Sequence, residues 1–254
     1  ITNSLRVVKE RKTILELMLS DHPADCLLCI KNGKCELQKL AVDFGIREIR
    51  FKGKMTNNRK EYSPSIIRDA DKCILCKRCE TMCREIQTCS VLSSIQRGFH
   101  ASIGTAFEQN METTICTYCG QCVAVCPVGA LYETDYTTQL MNDLSKEDKV
   151  VIAQVAPAVR VAVGEEFGFA PGEDVTGKLV TALKMVGFKY VFDTNFAADL
   201  TIMEEAAELK ERLEKSLAGE NTPLPIITSC CPAWVKFAEH HFHGFLKNLS
   251  TAKS

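Results

Sequence analysis

The pattern of apolar and polar positions changes near Lys149. Before that point one amphipathic stripe is clear: TILELML at Thr13–Leu19 predicts a helix ending near Ser20. After it, strand and helix patterns alternate. VVIAQVA at Val150–Ala156 predicts a buried strand and Val175–Val186 a helix. KYVFDT predicts a second strand, Ala206–Leu217 a charged helix, and PIITS a third strand. Strand, helix and strand in this order predict a parallel α/β unit. Ligands of such sheets gather at the carboxyl ends of the strands, which singles out Ala156-Pro157 and the TSCC of Thr228–Cys231.

Composition removes several function classes. The 254 residues carry 31 basic and 32 acidic side chains for a net charge of -1, scattered along the chain, so no nucleic-acid footprint is present. A hydrophobic content of 46% is ordinary for a soluble globular protein. The most apolar stretch, Val150–Val163, is interrupted by Gln154, Pro157 and Arg160, well short of a membrane span. With no secretory signal visible in these residues, which begin at Ile1, the expected location is cytoplasmic.

Fourteen cysteines change the picture, because most fall at two-residue spacings that suit metal better than disulfides. Three groups stand out. The first is His22, Cys26, Cys29 and Cys35, a set that suits either tetrahedral zinc or a cubane with one imidazole ligand. The second is Cys73, Cys76, Cys79 and Cys83; the third, Cys116, Cys119, Cys122 and Cys126 followed by Pro127, repeats its spacing. The third matches the bacterial ferredoxin run C-x2-C-x2-C-x3-C-P, in which the fourth cysteine of each run serves the other cluster. The expected crossing gives Cys73, Cys76, Cys79 and Cys126 to one 4Fe-4S cluster and Cys116, Cys119, Cys122 and Cys83 to another. Beside two cubanes the zinc reading of the first group weakens, and three 4Fe-4S clusters forming a wire are expected. Cys89 lies outside the pattern and reads as a core residue.

Two decoys are set aside. Gly172–Lys178 imitates a phosphate loop, but Leu179 replaces the required Ser/Thr and Glu173 and Asp174 would repel phosphate, so a turn and helix start are expected. His240–His243 reads as an exposed helix end. In TSCCPAW, Cys230 and Cys231 are adjacent and their side chains point apart, so on these residues alone the pair reads as buried and inert, with two different roles as the alternative.

With His-x3-Cys-x2-Cys-x5-Cys, the paired ferredoxin runs, QVAPAVR and TSCCPAW, essentially the whole chain resembles the catalytic subunit of an iron-iron hydrogenase. TSCCPAW corresponds to that family's first active-site signature. The resemblance implies a multidomain α+β and α/β chain: a histidine-ligated 4Fe-4S domain at 1–57, a two-cluster ferredoxin-like domain at 58–146, and an incomplete α/β H-cluster domain at 147–254. It implies reversible interconversion of hydrogen with protons and electrons at an H-cluster, a cubane joined to a two-iron unit. Carried across, Cys231 binds the cubane, Cys230 passes protons, Ala156 and Pro157 line the two-iron pocket, and Glu205, Glu208, Arg212 and Ser250 lie on the proton path. Later signatures and a preceding 2Fe-2S domain are absent, which implies the middle of a longer subunit that alone makes no hydrogen. The implied partners are ferredoxin and/or an NADH-oxidising flavoprotein subunit in a hetero-oligomer, with no membrane segment. The competing reading is an electron-transfer subunit of a complex I-like or formate dehydrogenase assembly, against which TSCCPAW argues.

Overall fold

The computed structural model describes residues 3–54 and 60–253; the expected domain boundary between residues 57 and 58 lies outside them. The chain divides into two compact units, Ile1–Thr134 with Ala233–His241, and Asp135–Pro232 with Phe242–Ser254.

In the first unit, helix α1 (Leu5–Ser20) ends where the amphipathic stripe ends, and Ser4 caps its start by accepting from the Val7 amide. Its stripe turns Leu15 inward, toward Leu37 of α2 (Glu36–Asp43) and the main core. An antiparallel sheet of β1 (Lys60–Tyr62), β2 (Ile66–Asp69) and β5 (Leu131–Glu133) follows, in the order β1-β2-β5. Register is set by the pairs Glu61↔Arg68 and Ile67↔Tyr132. Between β2 and β5 the chain forms short helices α3 (Arg78–Thr81) and α4 (Gln121–Ala124) and a hairpin of β3 (Ser93–Ile95) with β4 (Ser102–Gly104). The core is small: Leu92, Ile103, Met111, Val128 and Leu131 pack together with Cys79, Cys122 and Cys126. Apolar residues of the ferredoxin repeat therefore fold around its sulfurs.

The second unit begins with α5 (Thr137–Leu144). Strand β6 (Ile152–Val155) leads through α6 (Val159–Ala162) and α7 (Thr176–Val186) to β7 (Tyr190–Asp193), and the two strands pair in parallel. Helix α8 (Thr194–Leu217) begins immediately after β7, with the Asp193 carboxylate accepting from the Asn195 amide at 2.9 Å. It is longer than the charged segment Ala206–Leu217 predicts. Beyond it, β8 (Ile227–Ser229) pairs in parallel with β9 (Leu249–Lys253); α9 (Pro232–His241), which lies between them in sequence, falls almost wholly in the first unit.

Two expectations are corrected here. Strand β6 is not buried: Ile152 is about half exposed, because Thr176, Leu179 and Val180 of α7 share a cavity with Val155 and Val191, which alternate onto the opposite face. The third strand does not join the first two. It forms its own two-stranded sheet with β9, held where the fully buried Ser229 hydroxyl reaches the Ser250 and Ala252 carbonyl oxygens at 2.8 Å. The phosphate-loop imitation is a turn and helix start, with Lys178 lying over the Phe169 ring at 4.0 Å.

Candidate metal centres

The two ferredoxin runs adopt the same backbone. Leu75 and Lys77 in one, and Tyr118 and Gly120 in the other, have positive φ between 56° and 75°. Three of these four are not glycine, and each costs about 1–2 kcal/mol in that region. The strained turns aim amides at sulfur: the Leu75 N–H donates to Cys73 Sγ at 3.4 Å and the Tyr118 N–H to Cys116 Sγ at 3.5 Å. Directly after the turns, α3 and α4 carry Cys79 and Cys122 inward, where both are buried.

Cys73, Cys76, Cys79 and Cys126 line one apolar cavity, with Ile74, Leu92 and Val128 among its walls. A second cavity is lined by Cys83, Cys116, Cys119 and Cys122. Each cavity thus combines three cysteines of one run with the last cysteine of the other. Cys89, also buried, lies on the second cavity with its sulfur 3.6 Å from the Thr117 hydroxyl. Among the described residues no three His, Cys, Asp or Glu side chains converge on a single-ion point; the sulfurs surround volumes.

The electrostatics suit cationic iron between these sulfurs. Burial pushes the Cys79 thiol up to about 12, and the charges of Cys73, Cys126 and Cys76 add to the effect. Burial also pushes Cys122 up to about 12, reinforced by Cys116, Cys119, Cys79 and Cys83. The buried Cys79 and Cys122 thiols therefore resist ionisation without cations to neutralise them, and metal binding displaces their protons.

The first group has no buried cysteine. Cys26 is exposed, and Cys29 and Cys35 are half buried. His22 Nδ1 lies 3.1 Å from the Pro23 carbonyl oxygen, so it must donate, leaving the lone pair on Nε2. That Nε2 is buried with no hydrogen-bond partner among the described residues. A ring fixed through Nδ1–H with a bare Nε2 is the tautomer a metal-binding histidine uses. The donor sets of all three groups therefore fit 4Fe-4S clusters.

In the second unit Cys230 and Cys231 are exposed immediately after β8, while Ala156 and Pro157 are exposed immediately after β6. Of the residues assigned to the proton path, three come together. Arg212 forms an ion pair with Glu208 one turn earlier on α8 and donates to the Pro223 and Leu249 carbonyl oxygens at 3.0 and 3.2 Å. Glu208 Oε2 accepts from the Thr251 amide and hydroxyl, both at 3.0 Å, and from the buried Ser250 hydroxyl at 3.4 Å. Burial alone would raise the Glu208 pKa, but the Thr251 hydrogen bonds and Arg212 outweigh it and hold the carboxyl below its ordinary value. Glu205 is not in this cluster, and its Oε1 is buried with no hydrogen-bond partner among the described residues. Thr251 escaped sequence reasoning; only its place directly after Ser250 hinted at it.

Comparison with known proteins covers the chain in three pieces. Residues 149–254 match the iron only hydrogenase large subunit, C-terminal domain. Residues 11–50 match the NADH-ubiquinone oxidoreductase-G iron-sulfur binding region, and residues 63–132 the ferredoxin-like domain of NADH-quinone oxidoreductase subunit 3. The NADP-reducing hydrogenase subunit HndD of Solidesulfovibrio fructosivorans is 61% identical over 255 residues, covering 100% of this chain and 44% of that protein. Iron hydrogenase 1 of Clostridium pasteurianum is 39% identical over 257 residues, with the same coverage of 100% and 44%. The NADH-ubiquinone oxidoreductase 75 kDa subunit of Acanthamoeba castellanii is 36% identical over 131 residues, covering 51% of this chain and 19% of that protein. The chain spans less than half the length of each of these relatives.

Proposed function

From the premise that the chain belongs to the iron-iron hydrogenase family, we propose that the whole protein interconverts hydrogen with protons and electrons, and that this chain supplies its electron relay and one side of its active site. The observation that carries this is the Cys230-Cys231 pair at the end of β8, in the matched hydrogenase domain, on the same chain as two four-cysteine cavities.

His22, Cys26, Cys29 and Cys35 hold one 4Fe-4S cluster; Cys73, Cys76, Cys79 and Cys126 a second; Cys83, Cys116, Cys119 and Cys122 a third. When bound, these clusters supply one-electron transfer, and the H-cluster of the whole protein supplies the hydrogen chemistry. The chain's own residues set the conditions. Leu75, Tyr118 and Val91 donate amide N–H groups to the sulfurs of Cys73, Cys116 and Cys83, the last at 3.3 Å, which stabilises negative charge there. Leu92, Met111 and Val128 exclude water from the inner sulfurs.

At the end of β8, Cys231 is an iron ligand and Ala156-Pro157 lines the two-iron pocket. Cys230 Sγ accepts and releases the proton. Glu205 and Ser250 take it outward, with Glu208 and Arg212 fixing that path. Glu208 is held ionised by Thr251 and Arg212, which suits it to orienting the Ser250 hydroxyl.

Among the described residues no helix is long and apolar enough to cross a membrane. HndD is by name a subunit, and we place the whole protein likewise in a cytoplasmic hetero-oligomer. There it exchanges electrons with ferredoxin and/or an NAD(P)H-linked flavoprotein, through a 2Fe-2S domain ahead of the histidine-bearing group. A relay subunit of the NADH-quinone oxidoreductase kind is the second reading, favoured by the matches at residues 11–50 and 63–132; residues 149–254 favour the first.

One pair of variants tests the assignment in the whole, matured protein. Cys230→Ala removes a proton carrier while keeping every iron ligand, so hydrogen turnover should fall by orders of magnitude with cluster spectra intact. Cys231→Ala should damage the cubane instead. Full activity of Cys230→Ala, or cluster loss there with retention in Cys231→Ala, refutes the division of roles. A wild-type protein that relays electrons but neither makes nor consumes hydrogen would establish the second reading.

A further inference from the structure

Lys72 is one of the few buried lysines, only 8% exposed, and it directly precedes Cys73. A buried ammonium is costly unless paired. Its Nζ reaches across to the first group, 3.0 Å from the Asp25 carboxylate, with Asp69 at 3.9 Å. Asp25 immediately precedes Cys26, and its other carboxylate oxygen is buried with no hydrogen-bond partner among the described residues. The backbone of Lys72 thus belongs to one proposed cluster loop and its charge to another.

Gly129 is the second anchor of this junction. A Cβ there would stand 2.6 Å from Cys29 Sγ, so glycine lets that sulfur close on this backbone, with the Lys72 Cδ within ordinary contact distance of the same point at 3.5 Å. Gly129 follows Cys126-Pro127-Val128, and the Pro127 carbonyl oxygen accepts from the Glu36 amide, next to Cys35, at 3.0 Å. Residues beside Cys26, Cys29 and Cys35 therefore meet residues beside Cys73 and Cys126 at one place, and Lys72 is the buried cation there.

We propose that Lys72 is a positioning residue for electron transfer: a fixed cation between the histidine-bearing site and the Cys73/Cys76/Cys79/Cys126 site that favours an electron on either. Positive charge close to a site stabilises its reduced, more negative state, and the low exposure of the Lys72 side chain, 11%, weakens screening of that charge. One electron leaves one site as the other gains it; no bond is formed or broken, and no proton is required. The inference rests on the cluster assignment above.

The test uses the whole, cluster-loaded protein with Lys72→Met, Lys72→Arg and Asp25→Asn. Iron and acid-labile sulfide are counted for each, and the potential of each cluster is followed by electron paramagnetic resonance. Lys72→Met should lower the reduced-to-oxidised ratio of the histidine-bearing cluster about tenfold at fixed potential, a downward shift of about 59 mV for one electron. A smaller shift in the same direction is expected at the Cys73 site, and none at the Cys83/Cys116/Cys119/Cys122 site. Lys72→Arg should restore the wild-type potentials, and Asp25→Asn should shift the histidine-bearing cluster upward. Unchanged potentials with full cluster content, or equal shifts at all three sites, would overturn the proposal. If Lys72→Met loses a cluster, wild-type potentials in both Lys72→Arg and Asp25→Asn would reduce Lys72 to a structural tie. Wild-type protein without iron and sulfide at these sites would refute the cluster assignment itself.

Discussion

In the ferredoxin-like region Cys79, Cys122 and Cys126 share one core with Leu92, Met111 and Val128, whereas Cys230 and Cys231 lie exposed at the end of a two-stranded sheet. Both regions present cysteine to iron in our account, but they organise it differently. The first gathers eight sulfurs with its own local fold, through repeated left-handed turns and two short helices. The second offers a rigid edge: Ser229 locks β8 onto β9, and Glu208 and Arg212 fasten α8 to the same strand. Where sulfur is part of the core, cluster and fold should stand or fall together. Where it sits on an exposed edge, loss of the sulfur should spare the fold around it.

The largest effect that sharpens this contrast is in the relay region. Cys122→Ala should remove one 4Fe-4S cluster and cooperatively destabilise the unit, read as lost iron and sulfide together with a lowered melting temperature. Cys89→Ala, on the same cavity but outside the repeat spacing, should keep all clusters and cost about 1 kcal/mol. Cluster loss in Cys89→Ala with retention in Cys122→Ala would break the contrast.

A smaller effect is expected around Glu208. Glu208→Gln weakens its bonds to Arg212 and Thr251 and should cost about 1–2 kcal/mol in denaturant unfolding, with the relay clusters unchanged. Because the folded-state pKa of Glu208 lies below its ordinary value of 4.5, its contribution is present above pH 4.5 and is lost as pH falls through the lower folded value. The stability curve of Glu208→Gln should therefore be flatter than wild type across that acidic interval. Identical slopes would mean that the Glu208 contact contributes nothing.

Much of this architecture could be read from periodicity. Helix α7 begins one residue after the predicted Val175, and β7 and β8 fall inside KYVFDT and PIITS. The cysteine groups were visible because metal ligation imposes short, regular spacings. Other features depend on the chain's return to itself. The exposure of Ile152 follows from which face α7 covers, and the pairing of β8 with β9 follows from the hydrogen bonds of Ser229; neither is encoded in a local pattern. Positive φ at Leu75, Lys77 and Tyr118 had no signal in residue type, since only Gly120 among the four positions advertises it. Lys72 likewise looks like any surface lysine until Asp25 is brought to it.

The central claim is that each enclosed cluster draws its ligands from both runs, and single cysteine variants of the whole, cluster-loaded protein test it most directly. Mössbauer and electron paramagnetic resonance spectra should show Cys126→Ser altering the same cluster as Cys73→Ser, and Cys83→Ser altering the same cluster as Cys116→Ser. If Cys126→Ser instead altered the cluster changed by Cys116→Ser, each run would hold its own iron and the crossed arrangement of the two cavities would be contradicted.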